Sequence, residues 1–163
     1  MAGLKLAIFS DTHGRTKGML RAIEKSKPDT VFHLGDCEAD VQRIRQAFPT
    51  LPICSVSGNC DHDPIEPDAR VFTMGGGVKI FATHGHRYRV KYQLEPLLNA
   101  GHFSEAQLIL FGHTHKAYCE TYAGMWVLNP GTAGMGAEPT YGIAYLENGA
   151  VRSCNVLPIP PEA

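Results

Sequence analysis

The sequence predicts an α/β fold in which two β-sheets pack face to face and carry helices on their outer faces. Three observations lead there. Up to residue 60, apolar runs of strand length alternate with segments of helical period. Beyond residue 69 the runs become short and are separated by turn residues, the pattern of a β-rich half. The chain has 163 residues, enough for one domain with a sizeable core and too few for an eight-fold α/β barrel.

Leu4 to Phe9 is the first strand, ending in Ser10-Asp11-Thr12-His13-Gly14, and Thr16 to Ser26 carries Met19, Leu20 and Ile23 at helical spacing. Thr30-Val31-Phe32-His33-Leu34 repeats the pattern and ends in Gly35-Asp36. A helix around Val41, Ile44, Arg45 and Phe48 follows, closed by Pro49. Ile53 to Val56 is a third strand, ending in Gly58-Asn59-Cys60-Asp61. Arg70 to Met74 and Val78 to Ala82, joined by Gly75-Gly76-Gly77, read as a hairpin that ends in His84-Gly85-His86. A helix is expected from Val90 to Asn99, with Leu94, Leu97 and Leu98 inward.

Leu108 to Phe111 reads as a buried strand, followed by Gly112-His113-Thr114-His115. Gly112 is expected to let the backbone leave the sheet in a conformation closed to residues with a Cβ. Short strands recur at Tyr118 to Tyr122, Met125 to Leu128, Tyr141 to Leu146 and Val151 to Val156. Residues 1–157 form the expected single domain, and 158–163 an extended or frayed tail.

Bulk properties exclude some function classes. Fifteen basic and sixteen acidic side chains nearly cancel, so there is no electrostatic footprint for long nucleic acids or a membrane surface. The opening Met1 to Phe9, with a lysine inside its apolar part, is neither a secretory signal nor a membrane span, and the expected localisation is cytoplasmic. Five cysteines without a Cys-x-x-Cys pair read as reduced thiols. Of eight histidines, five (His13, His84, His86, His113, His115) lie in short polar clusters after apolar runs.

Those clusters carry the chemistry. Successive runs end in Asp11/His13, Asp36, Asn59, His84 and His113/His115, and in an α/β sheet the carboxyl ends of strands share one edge. Taken singly, Asp11 could be a helix N-cap, Gly35-Asp36 a turn, and Asn59 a left-handed turn residue. Five coincidences at strand ends would be needed. Together they offer two carboxylates, four imidazoles and one amide oxygen. That is too many donors for one tetrahedral ion, and it suits two ions of higher coordination sharing a carboxylate. The nitrogen and oxygen mixture fits manganese, nickel, iron or zinc better than calcium.

In order and spacing, Asp11-Thr12-His13, Gly35-Asp36, Gly58-Asn59-Cys60-Asp61, His84-Gly85-His86 and Gly112-His113-Thr114-His115 resemble the five motifs of the calcineurin-like metallophosphoesterases. Within that superfamily the sequence is similar to the small bacterial and archaeal phosphodiesterases over nearly its whole length; Asn129-Pro130-Gly131 also looks like a loop of that branch. The resemblance implies a four-layer α/β/β/α sandwich, with two mixed β-sheets flanked by helices. It implies two divalent metal ions, manganese foremost. One would be held by Asp11, His13, Asp36 and His115, the other by Asp36, Asn59, His84 and His113. The implied reaction is in-line hydrolysis of a small phosphodiester by water activated at the metal pair.

One departure bears on substrate. Many members of the superfamily have His in the third motif where this chain has Cys60, and a neutral thiol donates a hydrogen bond poorly. This favours diesters with good leaving groups over alkyl monoesters, with His86 or His62 as substitute substrate-side groups and Arg15 as a candidate phosphate contact. A second class of function shares the fold. The retromer scaffold subunit carries similar Gly-His-Thr-His and Asn-Pro-Gly stretches, binds partner proteins and departs at metal positions, whereas this chain keeps every expected ligand. The resemblance also implies a homodimer or homotetramer.

Overall fold

The computed structural model describes residues 3–162. The first half contains β1 (Leu4–Phe9), α1 (Lys17–Ser26), β2 (Thr30–His33), α2 (Val41–Ala47) and β3 (Ile53–Ser55). A hairpin of β4 (Ala69–Met74) and β5 (Val78–Thr83) leads to α3 (Glu95–Phe103) and β6 (Leu108–Leu110). Four strands close the chain: β7 (Tyr118–Tyr122), β8 (Met125–Asn129), β9 (Thr140–Glu147) and β10 (Ala150–Pro158). No helix of the described residues is long and apolar enough to cross a membrane.

Two five-stranded sheets result, in the orders β10-β9-β1-β2-β3 and β4-β5-β6-β8-β7. In the first, β1, β2 and β3 are mutually parallel, while β9 joins β1 antiparallel. In the second, β5, β6 and β8 are parallel, with β4 and β7 added antiparallel at the edges. Strand alternation then makes the layers. Leu6, Ile8 and Phe32 of one sheet meet Ile80, Ala82, Leu108 and Leu110 of the other in a core between the sheets. Ala7, Phe9 and Val31 point outward onto Met19, Ala22 and Ile23 of α1 and Ile44 of α2. Phe81, Ile109 and Phe111 point the opposite way onto Leu97 of α3. The molecule is therefore the expected four-layer sandwich.

Local signals explain most boundaries. In α1 the buried residues Met19, Ala22 and Ile23 are spaced for one face, and Lys27 ends the helix at φ 48° with its N–H on the Ile23 carbonyl. Gly75, Gly76 and Gly77 all take positive φ in the hairpin turn. One helix is displaced. The segment expected to be helical from Val90 to Asn99 becomes helix only at Glu95 and continues to Phe103. Arg89, at φ 56°, interrupts the chain upstream. Pro96 would lose the bond to the Tyr92 carbonyl inside a longer helix, whereas in the first turn its missing N–H costs nothing. Two contacts tie residues beyond β10 to the first half of the chain and to the segment before β9. Ile159 is buried and donates its N–H to the Pro139 carbonyl at 2.9 Å, and Arg21 of α1 reaches the Pro160 carbonyl at 3.0 Å.

Candidate metal centre

The six parallel strands, three from each sheet, end at one edge, and a polar cluster follows each of them. β1 leads to Asp11 and His13, β2 to Asp36, β3 to Asn59, β5 to His84 and β6 to His113 and His115. The backbone there is held in costly conformations: Asp11 (φ 56°), His13 (46°), Asp36 (45°), His113 (70°) and His115 (63°) all lie in the left-handed region. Hydrogen bonds between the loops hold them. Asp11 N–H donates to the Gly35 carbonyl at 3.0 Å and His13 N–H to the Asp36 carbonyl at 3.2 Å. Gly112 N–H reaches across to the His84 carbonyl at 2.9 Å.

Gly112 serves differently from the expectation. It has no positive φ; a Cβ on it would overlap the Ser10 hydroxyl and crowd the Asp11 carboxylate. The left-handed turns belong to the two histidines that follow. Gly58 is confined in the same way, since a Cβ there would overlap the Asp36 carboxylate.

Both carboxylates are buried and divided in function between their oxygens. Asp11 Oδ2 accepts from Ser10 Oγ at 2.7 Å and from His113 N–H at 3.1 Å. Asp11 Oδ1 is buried without a hydrogen-bond partner and faces three imidazoles: His115 Nε2 at 3.2 Å, His13 Nε2 at 3.8 Å and His84 Nε2 at 3.8 Å. Asp36 Oδ1 accepts from Cys60 N–H at 2.9 Å, while Oδ2 faces His84 Nε2 at 3.3 Å and His13 Nε2 at 3.9 Å. His84 Nδ1 lies 2.7 Å from the Leu34 carbonyl, so that nitrogen is the donor and Nε2 keeps its lone pair. His113 Nδ1 lies 3.3 Å from His84 Nε2. Two groups thus bring donor atoms within 4.8 Å of one another: Asp11, His13 and His115; and Asp36, His84 and His113.

These groups fit divalent ions. Asp11 Oδ1 and His13 Nε2 are buried without hydrogen-bond partners, which costs free energy unless something cationic satisfies them. The donors are carboxylate oxygens and neutral imidazoles, the set that borderline divalent metals take. Asp36 stands against both groups, as a shared ligand must.

Charge follows from this crowding. Burial disfavours the Asp36 carboxylate, yet hydrogen bonding and charge from His84 and the Cys60 N–H hold its pKa far below the ordinary range. Burial likewise opposes charging His84, but Asp36 and Asp11 outweigh it and raise its pKa. A proton and a metal ion compete for that same Nε2 lone pair. His113 is pushed down to about 4 by burial and by His84.

The remaining sequence candidates lie at the rim. Asn59 is exposed, its side-chain nitrogen 3.7 Å from Cys60 Sγ, between two residues that touch Asp36. The Cys60 thiol is exposed and pushed up by burial of the sulfur and then by the Asp36 charge, so it stays protonated. His86 lies with its ring centroid 5.5 Å from His84 and 6.1 Å from His113, its Nε2 3.8 Å from Asp68 and its Nδ1 buried without a partner. Burial and then His84 push its pKa down. His62 and Arg15 are exposed.

Several supporting residues escaped the sequence reading. His33 is fully buried and accepts the Gly35 N–H at Nδ1, 3.2 Å, which leaves Nε2–H to donate to Thr12 Oγ1 at 2.9 Å. It therefore ties the Asp11 loop to the Asp36 loop. Asn129, at the end of β8, donates to the Gly112 carbonyl at 3.1 Å and to Thr114 Oγ1 at 3.0 Å, and accepts from Gly131 N–H at 2.9 Å. It clamps the loop carrying His113 and His115; the Pro-Gly turn signal beside it was legible, the clamp was not. Asp61 accepts N–H groups from Asp36 at 3.1 Å and Gly58 at 2.7 Å.

The chain is 32% identical over 156 residues to the probable metallophosphoesterase YsnB of Bacillus subtilis, covering 90% of this chain and 87% of that one. It is 27% identical over 146 residues to phosphodiesterase MJ0936 of Methanocaldococcus jannaschii, covering 78% and 83%. The crystal structure of Vps29 with zinc from Entamoeba histolytica superposes with a TM-score of 0.73 at 20% identity, over 96% of this chain and all of that one. The calcineurin-like phosphoesterase superfamily domain matches residues 4–149. With the family domain matching residues 4–149 and a relative 32% identical over 90% of the chain, this protein belongs to the calcineurin-like phosphoesterase superfamily.

Proposed function

We propose that the chain is a phosphodiesterase that depends on two divalent ions, manganese foremost. Asp11, His13, Asp36 and His115 would hold one ion, and Asp36, Asn59, His84 and His113 the other. The observation that carries the reading is the division of labour in Asp11 and Asp36: one oxygen of each is tied by hydrogen bonds, and the other is turned toward imidazole nitrogens. Such ions, when bound, would supply Lewis acidity that lowers the pKa of water towards about 7 and offsets the negative charge of phosphoryl oxygens.

The protein's own residues do the rest. The Leu34 carbonyl fixes the His84 tautomer, the Cys60 N–H and Asp61 fix Asp36, and Asn129 fixes the two histidines beyond Gly112. On the substrate side the site offers the protonated Cys60 thiol and the His86 imidazole, which its lowered pKa keeps neutral at pH 7. Neither is a strong acid toward an alkoxide leaving group. Diesters with stable leaving groups are therefore the favoured substrates, and the similarity to a protein named a phosphodiesterase supports this. The scaffold reading has less support, because binding a partner protein does not call for buried carboxylate and imidazole atoms without hydrogen-bond partners.

The test is kinetic. Manganese-loaded protein is expected to hydrolyse bis(p-nitrophenyl) phosphate with a higher kcat/KM than p-nitrophenyl phosphate; the reverse order would overturn the diester assignment. Cys60→His is expected to raise monoester turnover, since general-acid help is typically worth ~10²-fold or more. An unchanged rate would remove Cys60 from the substrate argument.

A further inference from the structure

On the helix side of the first sheet lies a cavity of about 550 Å³, within the roughly 300–1,000 Å³ of small-molecule sites. Its walls are Gly14 to Gly18 at the start of α1, Arg43 of α2, Gly134 in the segment before β9, and Ile159 beyond β10. These walls are closely fitted. A Cβ on Gly134 would overlap the Thr12 carbonyl, and one on Gly18 would overlap the Ile159 side chain. Ala133 N–H donates to the Ser10 carbonyl at 3.0 Å, which pins the Gly134 segment to the loop after β1. None of the residues proposed to hold metal lines the cavity, although Gly14 and Arg15 directly follow His13.

The charge here is strongly one-sided. Arg15, Lys17, Arg21 and Arg43, four of the fifteen basic side chains, line this one cavity. Its single carboxylate, Glu162, pairs with Arg21 at 3.6 Å. Arg21 is fixed further by donating its Nε–H to the Pro160 carbonyl at 3.0 Å. Among the described residues, Arg15, Lys17 and Arg43 have no ion-pair partner, in a chain whose net charge is −1. Like charges on a concave surface repel one another and focus their field on an anion. Guanidinium forks match phosphoryl oxygens two at a time, and a lysine ammonium adds a point charge. A diphosphate, with several negative charges on two linked phosphoryl groups, complements such a set.

We propose that this cavity is a second, non-catalytic anion site, and that its ligand is a diphosphate group held by Arg15, Lys17, Arg21 and Arg43. The inference goes beyond the metal centre and does not depend on the reaction proposed for it.

Calorimetry on the whole chain, treated with chelator and held at about 0.15 M salt, tests this with inorganic pyrophosphate. Pyrophosphate is expected to bind about tenfold more tightly than citrate, which carries a similar charge on planar carboxylates. Arg43→Gln and Lys17→Gln are each expected to weaken pyrophosphate binding about tenfold, the loss of one charge-assisted hydrogen bond. Arg45→Gln, on α2 but outside the cavity, should leave it unchanged. Absence of binding, equal affinities for pyrophosphate and citrate, or equal losses in Arg43→Gln and Arg45→Gln would overturn the proposal. Methyl diphosphate, bound or refused, then tells whether the site admits an ester or only the free anion.

Discussion

At the scale of single residues, the centre depends on groups whose second atoms are already engaged. Asp11, Asp36 and His84 each use one polar atom to grip the scaffold and turn the other toward the same small volume. These residues were legible in the sequence because each interrupts or ends an apolar run, where a charge has no structural reason to be. His33 was not legible. A histidine inside Thr30-Val31-Phe32-His33-Leu34 reads as one more strand residue, and its partner Thr12 is 21 positions away. Its role has a pH signature. Burial pushes the His33 pKa down to about 4, and protonation of Nδ1 would also break the Gly35 bond. The folded value lies below the free value of about 6.5, so the unfolded chain takes up the proton first. The stability contribution is complete above pH 6.5, falls away as pH drops toward about 4, and amounts to about 3 kcal/mol. Urea unfolding of chelator-treated protein should therefore lose about 3 kcal/mol more between pH 7 and 4 than the His33→Gln variant loses. Parallel pH dependences would contradict this role.

At the scale of elements, the unit that matters is a parallel strand followed by a strained loop. The strands were legible from their apolar runs, and so were five of the six loops at their ends. The start of α3 was misplaced because helical spacing from Val90 onward competes with Pro96, and the proline wins. The use of Gly112 was also misread, since no local rule reveals that Ser10, a hundred positions earlier, fills the space where a Cβ would go. The tightness of that packing can be measured. Gly112→Ala should destabilise the protein by about 1–3 kcal/mol, read as a lower urea midpoint at unchanged m-value. A neutral substitution would show the loops to be looser than described.

At the scale of the whole molecule, the site exists only when two sheets built from distant parts of the chain pack face to face. Asp11, Asp36 and Asn59 follow strands of one sheet and His84, His113 and His115 follow strands of the other. The alternation of helices and strands announces an α/β layer structure, but sheet order does not follow from it. Pairing Leu4 with Leu146 in adjacent strands is a long-range choice made by the core between the sheets. The division of the chain into two sheets therefore decides which side chains meet, and the family resemblance supplied what local pattern could not. The most direct test of the account is anomalous diffraction from crystals grown with manganese. Two peaks are expected, one among Asp11, His13, Asp36 and His115 and the other among Asp36, Asn59, His84 and His113. A single peak, or peaks lying away from these side chains, would contradict it.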